Sequence, residues 1–292
     1  MSKTITGILI GLSAFSILAF GDVAIKAMTS YMDTLSVGLY MNLFTILFLI
    51  PLILFYGPRK AFHSQTLKLH IFRSSLMLGV YLCVIFTLEN LSLASSYTIG
   101  FLMPFVLNII AFFLLKEKIS IHRWGAIFVA FIAVLIAMRP GIEPFNIGYL
   151  SAIGIVLLVS CAFMTVKYIS KDDHWLTFIV YPMTIQTSII AIIMMFQDIP
   201  LIQPIEDSAL IWLILGGLAF TSGLSLMPQA IKRLDASLFG PLFYIALPWG
   251  IFWGYIIFND HIDLWTLTGA VIIILSGFYL IHREKHENSQ LL

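Results

Sequence analysis

GILIGLSAFSILAFGDVAIK, residues 7–26, and GYLSAIGIVLLVSCAFMTVK, residues 148–167, are the two stretches that decide the architecture of this chain. Each runs 20 residues from a Gly to a Lys, and the second repeats the first at an offset of 141 positions. Twenty apolar residues make a helix long enough to cross a hydrocarbon core of about 30 Å. Further matches follow in the same order. Tyr40 pairs with Tyr181 at offset 141, and Ala94-Ser95 with Ala236-Ser237 at 142. Pro104 pairs with Pro248 and Gly125 with Gly269, both at 144. An ordered set of matches at a nearly constant offset marks an internal repeat, and the drift fits small insertions.

The rest of the chain has the same character. Of its 292 residues 60% are hydrophobic and 11% charged, where a soluble domain carries about 25% charged residues. A surface this apolar requires lipid as its solvent. Ten stretches qualify as spans: 5–25, 35–56, 70–88, 94–115, 122–138, 147–167, 175–196, 208–230, 236–258 and 263–281. Helices are the expected spanning form, since lipid leaves no backbone group a partner outside the chain. Residues 5–25 are read as the first span and not as a cleaved leader, because no small-x-small cleavage site precedes a soluble domain. Cys83 and Cys161 sit in apolar stretches and read as packing.

Basic residues give the orientation. On the N-terminal side of the membrane lie 14 of the 16 Lys and Arg residues, and only Lys26 and Arg139 lie on the other. That other side carries Asp33, Glu143, Asp198, Glu206, Asp207, Asp260 and Asp263. Both termini are therefore expected in the cytoplasm. The expected fold is an all-α integral membrane protein of ten transmembrane helices in two five-helix inverted repeats. They cover residues 1–141 and 142–283, followed by a cytoplasmic tail, 284–292. Five spans is an odd number, so the second half points opposite to the first. Halves of this kind can rock about a central site and expose it alternately, as transporters do.

One run resembles a known family. PFVLNIIAFFLLKEKISIHRWG, residues 104–125, carries a Pro in the fourth span, Glu117 in the following loop and Gly125 opening the fifth. Its second-half counterpart ends in YIIFNDHIDLWTLTGAVIIILSG, with Asp260 at the loop position. These pieces resemble the drug/metabolite transporter superfamily in its EamA group, over nearly the whole chain. GDVAIK (Gly21–Lys26), Arg73 at the start of the third span and Arg123-Trp124 are similar to the branch that includes S-adenosylmethionine uptake transporters. The resemblance implies ten helices, cytoplasmic termini and a central cavity lined mostly by the non-terminal helices of each half.

Polar residues inside spans are candidate site residues. Asp22 and Lys26 stand i, i+4 and share a helix face. They read either as a self-neutralising pair with Lys26 reaching to the interface, or as a gate or zwitterion site. Phe163 occupies the position that would match Asp22, and Lys167 reads as an interface anchor. Glu89, beside Asn90 at the end of the third span, is a solvated helix end or a desolvated carboxylate carrying a coupling proton. Arg73 obeys the positive-inside bias.

Tyr40 and Asn42 in span two, and Tyr181 and Gln186 in span seven, need partners in lipid. The two tyrosines could face each other across a cavity and stack on a planar or cationic ligand. The same groups also serve as interhelical hydrogen-bonding glue. Pro104 and Pro248 read as kinks or hinges in spans four and nine, with Asn108 one turn after Pro104. Tyr244, Trp249 and Trp253 on span nine are cavity walls or an interfacial belt. Pro228 and Gln229 form a break in span eight.

No HExxH, P-loop, GxSxG, dinucleotide fingerprint or Cys/His cluster occurs in the sequence. The reading is therefore a transporter and not an enzyme, with no cofactor, no metal and no nucleic acid. Its expected partners are the bilayer, a small-molecule substrate, and a coupling proton or counter-substrate. Either a monomer or a homodimer can serve. The expected activity is alternating-access transport of a small polar or zwitterionic metabolite across the inner membrane, with S-adenosylmethionine uptake as the specific expectation. Export of amino acids or toxic metabolites is the alternative within that class, and a membrane-embedded enzyme or a non-transporting sensor is the alternative outside it.

Overall fold

The computed structural model describes residues 3–115, 121–138, 146–166, 168–169, 172–231, 233–234 and 240–289. Lys167, Glu117 and Arg139 lie outside the described residues, as do the side chains of Pro104 and Asn108. The described chain is helical. In the first half run α1 (Lys3–Met28), α2 (Thr34–Tyr56), the short α3 (Pro58–Phe62), α4 (Leu67–Asn90), α5 (Leu93–Gly100), α6 (Met103–Leu115) and α7 (Ile121–Met138). In the second run α8 (Ile147–Val166), α9 (Thr177–Phe196), α10 (Asp207–Ile231), a 3₁₀ turn (Gly240–Ile245), α11 (Ala246–Phe258) and α12 (Leu264–Ser289).

Among the described residues six helices are long and apolar enough to cross a membrane: α1, α2, α4, α8, α9 and α10. Shorter apolar helices cover Leu93–Leu107, Trp124–Ala137, Leu242–Phe258 and Leu264–Ser276. Two expected spans are thus corrected from single helices to broken ones. After Gly100 the Leu102 N–H bonds Ile99 O at 3.0 Å, a tightened i−3 pattern, and the ladder restarts when Phe105 and Val106 bond Leu102. Pro104 falls in the first turn of α6, where a missing N–H leaves no bond unmade. Pro248 likewise falls in the first turn of α11, directly after the 3₁₀ turn, and is exposed. α12 continues past residue 281 to Ser289, because HREKHENS contains no Gly or Pro to stop it.

Two of the acids expected on the acidic side are helix caps. Asp33 accepts from the N–H groups of Leu35 and Ser36 at the start of α2, and Asp263 from those of Trp265 and Thr266 at the start of α12. Each satisfies donors that the first helical turn leaves free.

Packing between the halves is symmetric under their exchange. The first helix of one half lies along the third of the other twice over: α1 on α10, and α8 on α4. The second helix of each half packs on the third of the other, α2 on α10 and α9 on α4, while α2 also meets α9 and α7 meets α12. Small residues allow the close approach of α1 and α10. Gly216 faces Ala24 and Met41, and Gly223 faces Leu18, in keeping with membrane helices that associate by close backbone packing. Outward faces are apolar: Leu54, Phe55, Phe113 and Leu275 are exposed, as a lipid-facing surface requires.

Candidate functional site: a central cavity between the halves

A cavity of about 330 Å³ opens between the two halves. Its wall is chiefly apolar, from Phe15 and Leu18 on α1, Met77 and Val84 on α4, Val159 and Phe163 on α8 and Phe220 on α10. The broken segments contribute Gly100, Met103, Phe243 and Ala246. None of the described lining residues comes from α7 or α12. Most of the described lining comes from the non-terminal helices of each half, as the resemblance implied, and the first helix of each half adds to it. The first helix of each half lines the cavity because α1 lies along α10 and α8 along α4. The last helices pack on each other and are turned away.

Few polar groups interrupt this wall. Asp22 Oδ2 accepts a hydrogen bond from the Tyr97 hydroxyl at 2.9 Å, which positions α1 against α5. Asn42 Nδ2 donates to Gln186 Oε1 at 3.4 Å, joining α2 to α9, and both residues line the cavity. Arg73 and Tyr81 enter from α4, on the face that also carries Met77 and Val84. Phe163, the repeat counterpart of Asp22, is in the lining too. One half thus presents an acid where the other presents a ring.

Other candidates lie elsewhere. The self-neutralising pair of Asp22 and Lys26 does not form. Lys26 Nζ donates to Leu91 O at 2.9 Å and sits 3.1 Å from Asp260 Oδ2 as an ion pair between the halves. Its long stem carries the charge to the helix end, over the Phe258 ring, whereas the short Asp22 side chain stays inside. Tyr40 and Tyr181 do not face each other across the cavity. Tyr40 bonds the loop after α9, accepting from Gln203 N at 2.7 Å and donating to Leu201 O at 3.2 Å. Tyr181 donates to Phe62 O at 2.7 Å, beside α3. Each lies near the start of its own helix, so the two sit at opposite ends of the bundle.

Glu89 is exposed at the end of α4 and accepts from Thr34 Oγ1 at 2.9 Å. Trp249 donates to Ser16 Oγ at 2.8 Å and stacks on Trp253. Both rings line an open groove with Phe20, Leu215 and Leu218, separate from the central cavity. Tyr244 is buried against Phe101, with its hydroxyl unpartnered among the described residues. Pro228 lines the cavity; Gln229 bonds Ser225 O within α10.

Arg73 and Tyr81 were not legible as cavity residues in the sequence, nor was Tyr97 as the partner of Asp22. Arg73 looks like an interface anchor, and the two tyrosines look like ordinary span residues. The signal that could have found two of them was the α4 spacing Arg73, Met77, Val80, Tyr81, Val84, which is one helical face.

A second polar cluster ties the halves together outside the cavity. Asp173, before α9, accepts from Ser64 Oγ at 2.6 Å, Gln65 N at 3.0 Å and Thr66 Oγ1 at 3.2 Å, and lies 3.0 Å from His70 Nε2. The Tyr181 ring stacks on His70 at 5.0 Å. Burial pushes the Asp173 carboxyl up, but the bonds from Ser64, Gln65, His70 and Thr66 outweigh it and hold the carboxyl below its ordinary 3.8. The stability it contributes is therefore whole above that value and lost as the pH falls through the lower folded value. Asp173→Asn is expected to cost about 2 kcal/mol near neutral pH. Melting of the detergent-solubilised protein checks this: the gap to the unsubstituted chain should narrow on acidification below about pH 4. A gap unchanged by acid would locate the effect elsewhere.

A family model described as the EamA-like transporter family matches residues 5–139 and again residues 146–282. The chain belongs to the EamA-like transporter family. It is thus a multi-pass membrane protein of a transporter family built from a repeated unit. Its relatives include an S-adenosylmethionine uptake transporter of Rickettsia bellii, 26% identical over 92% of this chain and 91% of the relative. A riboflavin transporter of Vibrio cholerae is 24% identical over 87% of this chain and 84% of its own. A pseudopaline exporter of Pseudomonas aeruginosa is 20% identical over 70% and 71%. A solved crystal structure matches with a TM-score of 0.67 over 95% of this chain and 98% of its own, at 14% identity, a likeness of fold alone.

Proposed function

We propose that this protein is a secondary transporter that moves a small polar or zwitterionic organic metabolite across the inner membrane by alternating access. The observation that carries the reading is the cavity between the halves, apolar except for Asp22, Arg73 and a few uncharged polar groups. An ionisable group inside a membrane protein marks a substrate or ion path. Exchange-symmetric packing supports two opposed units, residues 1–141 and 142–283, with tail 284–292, and the distribution of Lys and Arg supports ten crossings with both termini cytoplasmic. Inverted units of this kind can rock about a central site. Asp22, Asn42 and Gln186 are the substrate-facing residues in this reading. Lys26 gates through its ion pair with Asp260, and the breaks beside Pro104 and Pro248 serve as hinges.

S-adenosylmethionine uptake is the preferred specific activity. The relative from Rickettsia bellii supports it, as does the chemistry, since a cationic, adenine-bearing solute suits a ring-lined cavity that carries an acid. Export is the second reading, favoured by the pseudopaline exporter among the relatives. Proteoliposomes loaded with or without counter-substrate, with or without a proton gradient, test both. Labelled S-adenosylmethionine is expected to accumulate under one of these gradients. Absence of movement of S-adenosylmethionine, riboflavin and amino acids under every gradient would falsify transport. Movement of other solutes without S-adenosylmethionine removes only the specific cargo.

A further inference from the structure

Asp22 and Arg73 are the two charged residues among the described lining of the cavity, and both belong to the first half. Arg73 does not behave as an interface anchor. Its Nη1 donates to Phe178 O at 3.1 Å, its guanidinium lies 5.4 Å from the Phe178 ring centre, and its Nε is buried with no acceptor among the described residues. The ion pairs found among the described residues, Lys26 with Asp260 and His70 with Asp173, do not include it. A guanidinium stays charged at physiological pH and offers a planar fork of donors matched to a carboxylate. A buried cation without a counter-ion is costly and gains from any anion that reaches it.

The acid stands at a distance from this cation. Tyr81 follows Arg73 by eight residues on α4, about 12 Å along the helix axis. Tyr81 and Asp22 both line the cavity, and the Tyr81 hydroxyl is buried without a partner among the described residues. The cavity therefore has a cationic pole at Arg73 and an acidic, hydrogen-bonding pole at Asp22 and Tyr81, with apolar wall between. An α-amino acid headgroup, whose charges are about 3 Å apart, satisfies one pole at a time.

We propose that Arg73 binds the carboxylate of the substrate while Asp22 and Tyr81 hold its far end. The cavity then selects elongated organic zwitterions whose carboxylate lies on the order of 10 Å from a cationic or hydrogen-bond-donating group. The assignment rests on the transporter reading above and narrows its substrate class.

Paired probes that differ only at the carboxylate test the proposal. S-adenosylmethionine and its decarboxylated analogue are compared for binding to the purified full-length protein, with methionine as the short zwitterion. The unsubstituted chain should bind S-adenosylmethionine about 10- to 100-fold more tightly than the decarboxylated analogue, and methionine weakly. Arg73→Gln should erase the preference between the pair. Arg73→Lys, which keeps the charge and loses the fork, should weaken S-adenosylmethionine yet keep the preference. Asp22→Asn should keep it also.

A preference retained in Arg73→Gln overturns the proposal. So does the lack of a preference in the unsubstituted chain, or the failure of every carboxylate-bearing probe to bind. If Arg73→Gln does not fold, the unsubstituted chain and Arg73→Lys decide by the same ratios. Uptake of riboflavin, which has no carboxylate, separates the two levels. Its movement in vesicles that ignore carboxylates sinks the Arg73 assignment and leaves transport standing.

Discussion

Asp22→Ala should lower the initial rate of uptake in reconstituted vesicles by about 100-fold, equivalent to about 3 kcal/mol. Asp22 is the acid among the described lining residues, and its bond from Tyr97 fixes where that charge points. A charged hydrogen bond in an enclosed, apolar cavity is worth more than one in water, because little solvent competes for it. Folding should survive the change, since the Tyr97 hydroxyl also lies 3.5 Å from Ala19 O and keeps an acceptor there. Asp22→Asn keeps the shape and the acceptor but removes the charge, so it should fall between the two. Rates are read beside the melting midpoint of each purified variant. A wild-type rate in Asp22→Ala, with a normal midpoint, would remove Asp22 from the transport path.

Gly269→Leu should cost about 4 kcal/mol or more and sharply reduce the yield of folded protein. A Cβ at Gly269 on α12 would stand 2.6 Å from Ala133 O and 2.8 Å from Ala137 Cβ on α7. The nearer atom is backbone, which cannot rotate away. The seam around it is built from small residues: Ala130, Ala133, Ala137 and Ala270 are buried there. Ser276 Oγ donates across it to Ala126 O at 3.2 Å. Its repeat counterpart behaves oppositely. A Cβ at Gly125 would meet nothing within 4 Å. Gly125→Ala should therefore be neutral or stabilising by up to about 1 kcal/mol, the helix-propensity difference. Monodisperse yield and thermal melting in detergent distinguish the two sites, and equal effects would refute the close α7–α12 seam.

That contrast shows what kind of information was legible. Gly125 and Gly269 look equivalent as letters, and their matching offset correctly announced a repeat. Hydropathy and charge spacing depend on residues near in sequence, so the long spans α1, α2, α4, α8, α9 and α10 could be read directly. The breaks after Gly100 and before Ala246 could not. Both flanking segments are apolar, and a tightened turn leaves hydropathy unchanged. Pro104 and Pro248 pointed to these regions, but each lies in the first turn after the break.

Side-chain partners were less legible still. Lys26 and Asp22 looked like a pair because four residues make a helical neighbour. Asp260 and Leu91, distant in sequence, took the Lys26 charge instead. Arg73 obeyed the charge bias of its side of the membrane, which concealed that its guanidinium turns into the cavity. Composition and order alone thus settle a helical membrane protein with a duplicated plan, because burial in lipid and helix length are local constraints. Which charges meet, which glycine is crowded and which helices enclose the cavity depend on packing between residues far apart in the chain. No local pattern encodes those contacts.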